Sequence, residues 1–319
     1  MDGVTVLRHL PFNLHLFRLP ALLLLSLTVT QAAAQQNEEQ EQEEAADKAP
    51  ESYEYAAPSY RIERSKLKIT EPVSWEQLQR DDLSHYLKPA TVTPLLAGPE
   101  DFITLIKNEL TSNSKGVAIL LPDWQQGATT PNSLNYLRKT LPDQGWTTIA
   151  VQPYEKPPQY PSIALKPSEQ EEENNTSLEQ YRQKLTAMMT AVMEKAKTYP
   201  GMFLVIVQGS HAALLTDLYQ QEKVPLPNAL VVLSSYMLTA TENEAYAKTL
   251  AQTELPVLDL SLKRDHPLAV TNARLRLAYA DKEMKASYRQ RILNNFATGD
   301  YPEQSLLREI NSWLRYEGW

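Results

Sequence analysis

Chemistry in this 319-residue chain should gather where short apolar runs end. The run Phe203 to Val207 (FLVIV) leads into Gln208-Gly209-Ser210-His211-Ala212-Ala213. A serine on a sharp strand-to-helix turn is placed to attack a carbonyl carbon. Such turns are written Gly-x-Ser-x-Gly, because the cramped backbone admits little beyond hydrogen at the flanking places. Ser210 takes the nucleophile position of that pattern, while Gln208 and Ala212 stand where glycine is usual. The turn is therefore degenerate, and a Gly-Ser pair is also ordinary turn chemistry.

A serine hydroxyl needs a base, and the base an orienting acid. Beyond its first 34 residues the chain has three histidines, His85, His211 and His266. His85 lies far from the turn in sequence, and His211 adjoins Ser210 and should point away from its Oγ. His266 follows the run Pro256 to Leu260 (PVLDL), next to Asp265, where an acid is expected. Gly299-Asp300-Tyr301-Pro302 follows the last strand candidate, near 289–294. Asp300 stands there in place of a histidine. These positions define a rearranged catalytic set of Ser210, His266 and Asp300, with Asp265 as the alternative acid. An oxyanion or binding loop would comprise Asp123, Trp124 and Gly127, with His211 beside the serine; a structural turn capped by Asp123 is the alternative.

The elements that would carry these residues are legible as apolar runs. Gly116 to Leu121 (GVAILL), Trp146 to Val151 (WTTIAV), Phe203 to Val207 and Ala229 to Leu233 (ALVVL) are rich in β-branched residues and bounded by Gly, Pro, Asp and Asn. Their continuous apolarity suits strands covered on both faces. Helical spacing marks Leu134 to Leu141, Leu178 to Thr198 behind a Ser177/Gln180 capping box, a segment after Ser210, and Ser305 to Tyr316. The last of these should bury Leu306, Ile310 and Trp313. Pro153 to Asn175 reads as an excursion at the carboxyl edge of the sheet, with a flexible surface loop as the plain alternative. Alternating strands and helices make a doubly wound, mostly parallel α/β sheet the economical fold.

The amino-terminal end predicts export. Arg8 and Arg18 precede the apolar run Leu19 to Val29, and Ala32 and Ala34 form an A-x-A cleavage pattern, so 1–34 reads as a signal peptide cleaved after Ala34. The run is shorter than a membrane span of roughly 18 to 20 residues, and no span is expected after processing. Residues 35–57 hold eight acidic side chains against the single Lys48, too little apolar surface for a packed core, and read as a disordered acidic leader. That leader holds most of the chain's net charge of −8. The remaining domain, 58–319, is nearly neutral, which gives no footprint for nucleic acid. The chain has no cysteine, which excludes disulfides and thiolate metal sites. It shows no phosphate-cradling loop, dinucleotide fingerprint or metal-ligand spacing, so no metal and no cofactor is expected.

Several segments together, VAILLPDW (117–124), LRKTLPDQGWTTIAV (137–151), NALVVLSSY (228–236), LPVLDL (255–260), SYRQ (287–290) and INSWL (310–314), are similar to a family of exported bacterial proteins classed as domain of unknown function 3530. The resemblance implies an α/β-hydrolase-like fold in a single domain and a periplasmic address, and supplies no substrate. Two functions stay open on the sequence: a serine esterase-type hydrolase acting through Ser210, and an inactive hydrolase fold serving as a binding or scaffolding module. Its ligand would be a small molecule or an envelope partner.

Overall fold

The runs expected to form strands are covered on both faces. A computed structural model describes residues 72–319; the signal peptide, the acidic leader and the start of the domain at Pro58 lie outside the described residues. The strands are β1 (Val92–Ala97), β2 (Glu100–Lys107), β3 (Gly116–Leu121), β4 (Trp146–Val151), β5 (Met202–Gln208), β6 (Ala229–Leu233), β7 (Val257–Leu262) and β8 (Tyr288–Leu293). Every residue of β3, β4, β6 and β7 is buried. They form one sheet in the order β1-β2-β4-β3-β5-β6-β7-β8. β2 runs antiparallel to β1 and β4, and the pairs from β4 to β8 are all parallel.

The helices are α1 (Trp75–Tyr86), α2 (Ser133–Thr140), α3 (Pro167–Ala196), α4 (Ser210–Gln220), α5 (Ala240–Gln252), α6 (Pro267–Lys282) and α7 (Glu303–Tyr316). One apolar cluster joins the sheet to α3, α4 and α5, and a second joins it to α2 and α7. Leu306, Ile310 and Trp313 of α7 are buried as their spacing requires. The chain passes from β3 to β4 on one side of β3 and returns to β5 on the other. Ligands of open α/β sheets bind in the crevice where such a reversal occurs, at the carboxyl ends of the strands. The turns after β3 and β5, which carry Asp123 and Ser210, meet there.

Two expectations need correction. α3 begins at Pro167, so Ser177 and Gln180 lie inside it and form no capping box. Proline is favoured in the first turn, and Glu169 there suits the positive end of the helix dipole. The excursion after β4 shrinks accordingly, and its second half is the exposed start of α3. The β1–β2 hairpin is not among the expected strands, because β1 is mostly exposed or half-buried and the buried run of β2 is short, holds Thr104 and lies between charged ends. Pro94 fits β1 because β1 is an edge strand.

Candidate functional site

The turn between β5 and α4 is strained at Gly209, with φ 62° and ψ −136°. In a strand-to-helix elbow the nucleophile is the residue that carries the strain. Here that residue has no side chain, and Ser210 is the first residue of α4. The sequence pattern is therefore displaced by one position. The turn is held from β6 outward, since Gly209 N donates to Leu233 O at 3.0 Å and Ser235 Oγ donates to Gly209 O at 3.0 Å.

Ser210 is 1% exposed, and its hydroxyl donates to Tyr236 O at 2.9 Å. Its backbone N–H, at the positive end of α4, donates to Asp123 Oδ1 at 3.2 Å, and Trp124 N–H donates to the same oxygen at 3.0 Å. A Cβ on Gly209 would meet Asp123 Cγ and Oδ2 at 2.3 Å. The carboxylate of Asp123 thus fills the space a nucleophile side chain would take, and it occupies two converging amides. Burial pushes the Asp123 carboxyl up to about 6, against the opposing effect of the two N–H donors.

His211 acts as a strut between elements. It is buried, with Nδ1 2.5 Å from Pro122 O and Nε2 2.6 Å from Tyr181 OH. A carbonyl can only accept, so Nδ1 carries the proton and Nε2 accepts from the tyrosine. Burial holds its pKa down to about 4, so the ring is neutral. Trp124 packs edge-on against Tyr160, Tyr181 and His211. This aromatic group fixes the β3 turn against α3 and α4, and so aims Asp123 at the amides.

The structure does not assemble the remaining expected residues around the serine. His266 is exposed and caps α6, its Nδ1 accepting from Leu268 N at 3.3 Å while its ring stacks on Tyr236 with centroids 4.6 Å apart. Among the described residues no imidazole hydrogen-bonds to Ser210 Oγ. Asp265 orients no histidine side chain. It accepts from Ser234 Oγ at 2.5 Å and from the backbone N–H of Leu262 and His266 at 3.1 and 2.8 Å. Asp300 is exposed, while its neighbour Tyr301 turns inward, 2.7 Å from Ser234 Oγ and donating to Leu260 O at 2.8 Å. Gly127 offers no amide for an oxyanion, because its N–H is bonded to Thr130 Oγ1 at 2.7 Å.

Sequence reasoning missed Ser234, Tyr236 and Tyr301. Ser234 lies at φ 46°, a backbone conformation unusual outside glycine. Nothing in the SSY sequence announces that conformation, whereas Tyr301 stands two residues after a glycine already singled out. Beside this edge, α3, α4 and α5 enclose a groove of about 410 Å³, lined in part by Glu171, Arg182, Asp217, Met237, Glu242 and Tyr246. Among the described residues no cluster of His, Cys, Asp and Glu could hold a metal ion, and no helix is long and apolar enough to cross a membrane.

Comparison with known proteins places this geometry on a familiar frame. A family described as protein of unknown function (DUF3530) matches residues 18–316. A search of curated proteins gives no match. Est1E from Butyrivibrio proteoclasticus is similar in structure at 9% identity and a TM-score of 0.51, over 71% of this chain and 98% of that one. A dienelactone hydrolase from Anabaena variabilis is similar at 12% identity and a TM-score of 0.50, over 70% of this chain and 96% of that one. At such identities the likeness shows the α/β-hydrolase fold alone.

Proposed function

This chain belongs to the DUF3530 family and has the α/β-hydrolase fold, and from that premise we propose that it is an exported binding or scaffolding module of the cell envelope that turns over no ester through Ser210. One observation carries the reading. The serine hydroxyl is committed to the Tyr236 carbonyl, while the strained residue of the elbow is Gly209, whose side-chain space is filled by the Asp123 carboxylate. A nucleophile needs a base within roughly 2.6 to 3.2 Å, and the nearest partner of Ser210 Oγ is an acceptor without basic character. The groove beside the site supplies a surface on which a binding module would work, with Arg182 paired to Asp217 at 2.9 Å in its wall.

The test uses the exported chain. A fluorophosphonate probe is expected to leave Ser210 unmodified, and hydrolysis of short p-nitrophenyl esters to be the same for the wild type and Ser210→Ala. Labelling that disappears in Ser210→Ala would overturn the reading, and its further loss in His266→Ala would identify the base.

The address rests on the first 34 residues, with their basic start, short apolar run and A-x-A site. The chain recovered from the periplasm is expected to begin at Gln35. Amino-terminal sequencing that finds Met1 or Asp2 in a membrane fraction would contradict it.

A further inference from the structure

The groove enclosed by α3, α4 and α5 is a different place from the elbow. Ser210 does not line it, and its floor is made by buried residues: Ala213 and Leu214 of α4, Met237 after β6 and Tyr246 of α5. The charges along its walls do not cancel. Arg182 is paired with Asp217 at 2.9 Å, which leaves Glu171 and Glu242 without a cationic partner among the described residues. Glu242 is also fixed in place. Its Oε2 accepts from Tyr160 OH and from Thr239 N, while its Oε1 has no partner among the described residues.

Two side-chain amides of α3 give a second, independent sign of a ligand. Gln170 and Asn174 lie one helical turn apart on the same face, and both line the groove. Each has one end committed to the loop before α3: Gln170 Nε2 donates to Ala164 O at 2.6 Å, and Asn174 Oδ1 accepts from Ser162 N at 2.7 Å. The opposite ends, an acceptor on Gln170 and a donor on Asn174, have no partner among the described residues, although Asn174 is only 6% exposed. A donor held that deep without a partner costs free energy that a ligand's acceptor would recover.

We infer that the groove binds a peptide segment carrying a basic side chain, whose cationic head is answered by Glu171 and Glu242 and whose backbone meets the free ends of Gln170 and Asn174. The inference rests on the binding-module reading and gives that module a partner chemistry. A lysine ammonium group offers donors only, which suits carboxylate oxygens, while a peptide unit offers one N–H and one C=O, which suits the amide pair. The methylene stem of such a side chain can lie on apolar surface while its head stays at the polar rim; Leu214 and Met237 supply that surface. A neutral ligand leaves both carboxylates unanswered. An anionic one meets them as like charges, with Arg182 already neutralised by Asp217.

The probe is acetyl-Ala-Lys-Ala-amide, titrated into the exported chain by calorimetry and thermal shift. The same peptide with its lysine Nε acetylated, and n-butylamine, are the controls. Wild-type protein is expected to bind the lysine peptide saturably and each control at least about tenfold more weakly, since a hydrogen bond to a charged group is worth about that factor. Glu171→Gln and Glu242→Gln keep the shape of the groove, and glutamine also closes a capping box. Each should weaken the lysine peptide about tenfold and leave the acetylated one unchanged. No saturable binding by the wild type, equal binding of the two peptides, or an affinity unchanged in both variants overturns the inference. Butylamine binding as tightly as the peptide overturns the peptide contacts and with them the partner class. Should the variants fail to fold, the comparison of the three ligands on the wild type decides alone. Failure here without fluorophosphonate labelling sinks this inference alone, whereas labelling at Ser210 beside intact peptide binding sinks only the binding-module reading.

Discussion

Asp259→Ala should lower unfolding stability by roughly 3 to 5 kcal/mol, because it leaves Arg276 charged and unpaired in the interior. Asp259, on β7, and Arg276, on α6, both have fully buried side chains. The guanidinium donates to the carboxylate from Nε at 2.7 Å and from Nη2 at 2.9 Å, and from Nη1 to Ser235 O at 2.6 Å. Tyr288 OH and Gln290 Nε2, both from β8, donate to Asp259 Oδ2 at 2.6 and 2.9 Å. The carboxylate and its hydrogen bonds outweigh the opposing effect of burial and hold the Arg276 pKa above its ordinary value. Arg276→Met should cost less than Asp259→Ala. It leaves a carboxylate that keeps two donors and can take up a proton, whereas Arg276 cannot be discharged. Urea unfolding at neutral pH reads both. A loss below about 1 kcal/mol for Asp259→Ala would mean that water or a relaxed side chain compensates the charge.

The consequence of that network reaches the site. Ser235, whose carbonyl receives Arg276, also donates its hydroxyl to Gly209 O. The elbow is thus anchored through the turn after β6 to an ion pair between β7 and α6, although Asp259 is far from Gly209 in sequence. The PVLDL run announces a strand, and an aspartate within an apolar run is the available sign of a buried charge. Its partner is hidden, because α6 has no strong apolar periodicity and Arg276 on it reads as an exposed cation.

The sequence is most legible where one physical requirement acts alone. Strands β3, β4 and β6 match their expected bounds residue for residue, since full burial on both faces leaves these three strands without a charged residue, and the polar Thr147 and Thr148 inside β4 are β-branched and hydrogen-bonded through their hydroxyls. The loop Asp123-Trp124 meets the turn after β5 as expected, because fold topology brings those strand ends together. The strained residue of that turn lies one position before the one the motif indicates. Gly-Ser can place either residue at the strain, and sequence does not show which one the backbone selects. Only the position of Asp123 decides it: its carboxylate needs the room of a missing Cβ.

Gly209→Ser tests that reciprocity and carries the second large effect. A non-glycine residue at φ 62° and ψ −136° is expected to cost about 1 to 3 kcal/mol in backbone strain. The new Cβ would fall 2.3 Å from Asp123 Cγ and Oδ2, and relieving that overlap should add roughly 1 to 3 kcal/mol. Asp123→Gly in the same chain removes the overlap and leaves the strain, so the double variant should be more stable than the sum of the single changes predicts. A coupling of about 1 to 3 kcal/mol, measured by urea unfolding across the double-mutant cycle, is the expected result. Additivity within about 0.5 kcal/mol would show that Asp123 and residue 209 do not compete for one space. The double variant also places a hydroxyl on the strained residue and vacates both amides. It should still give no fluorophosphonate labelling at position 209, because the ring of His266 remains stacked on Tyr236 and bonded to the start of α6. Labelling would instead show that this imidazole is free to turn, and that the loss of the nucleophile alone had silenced the site.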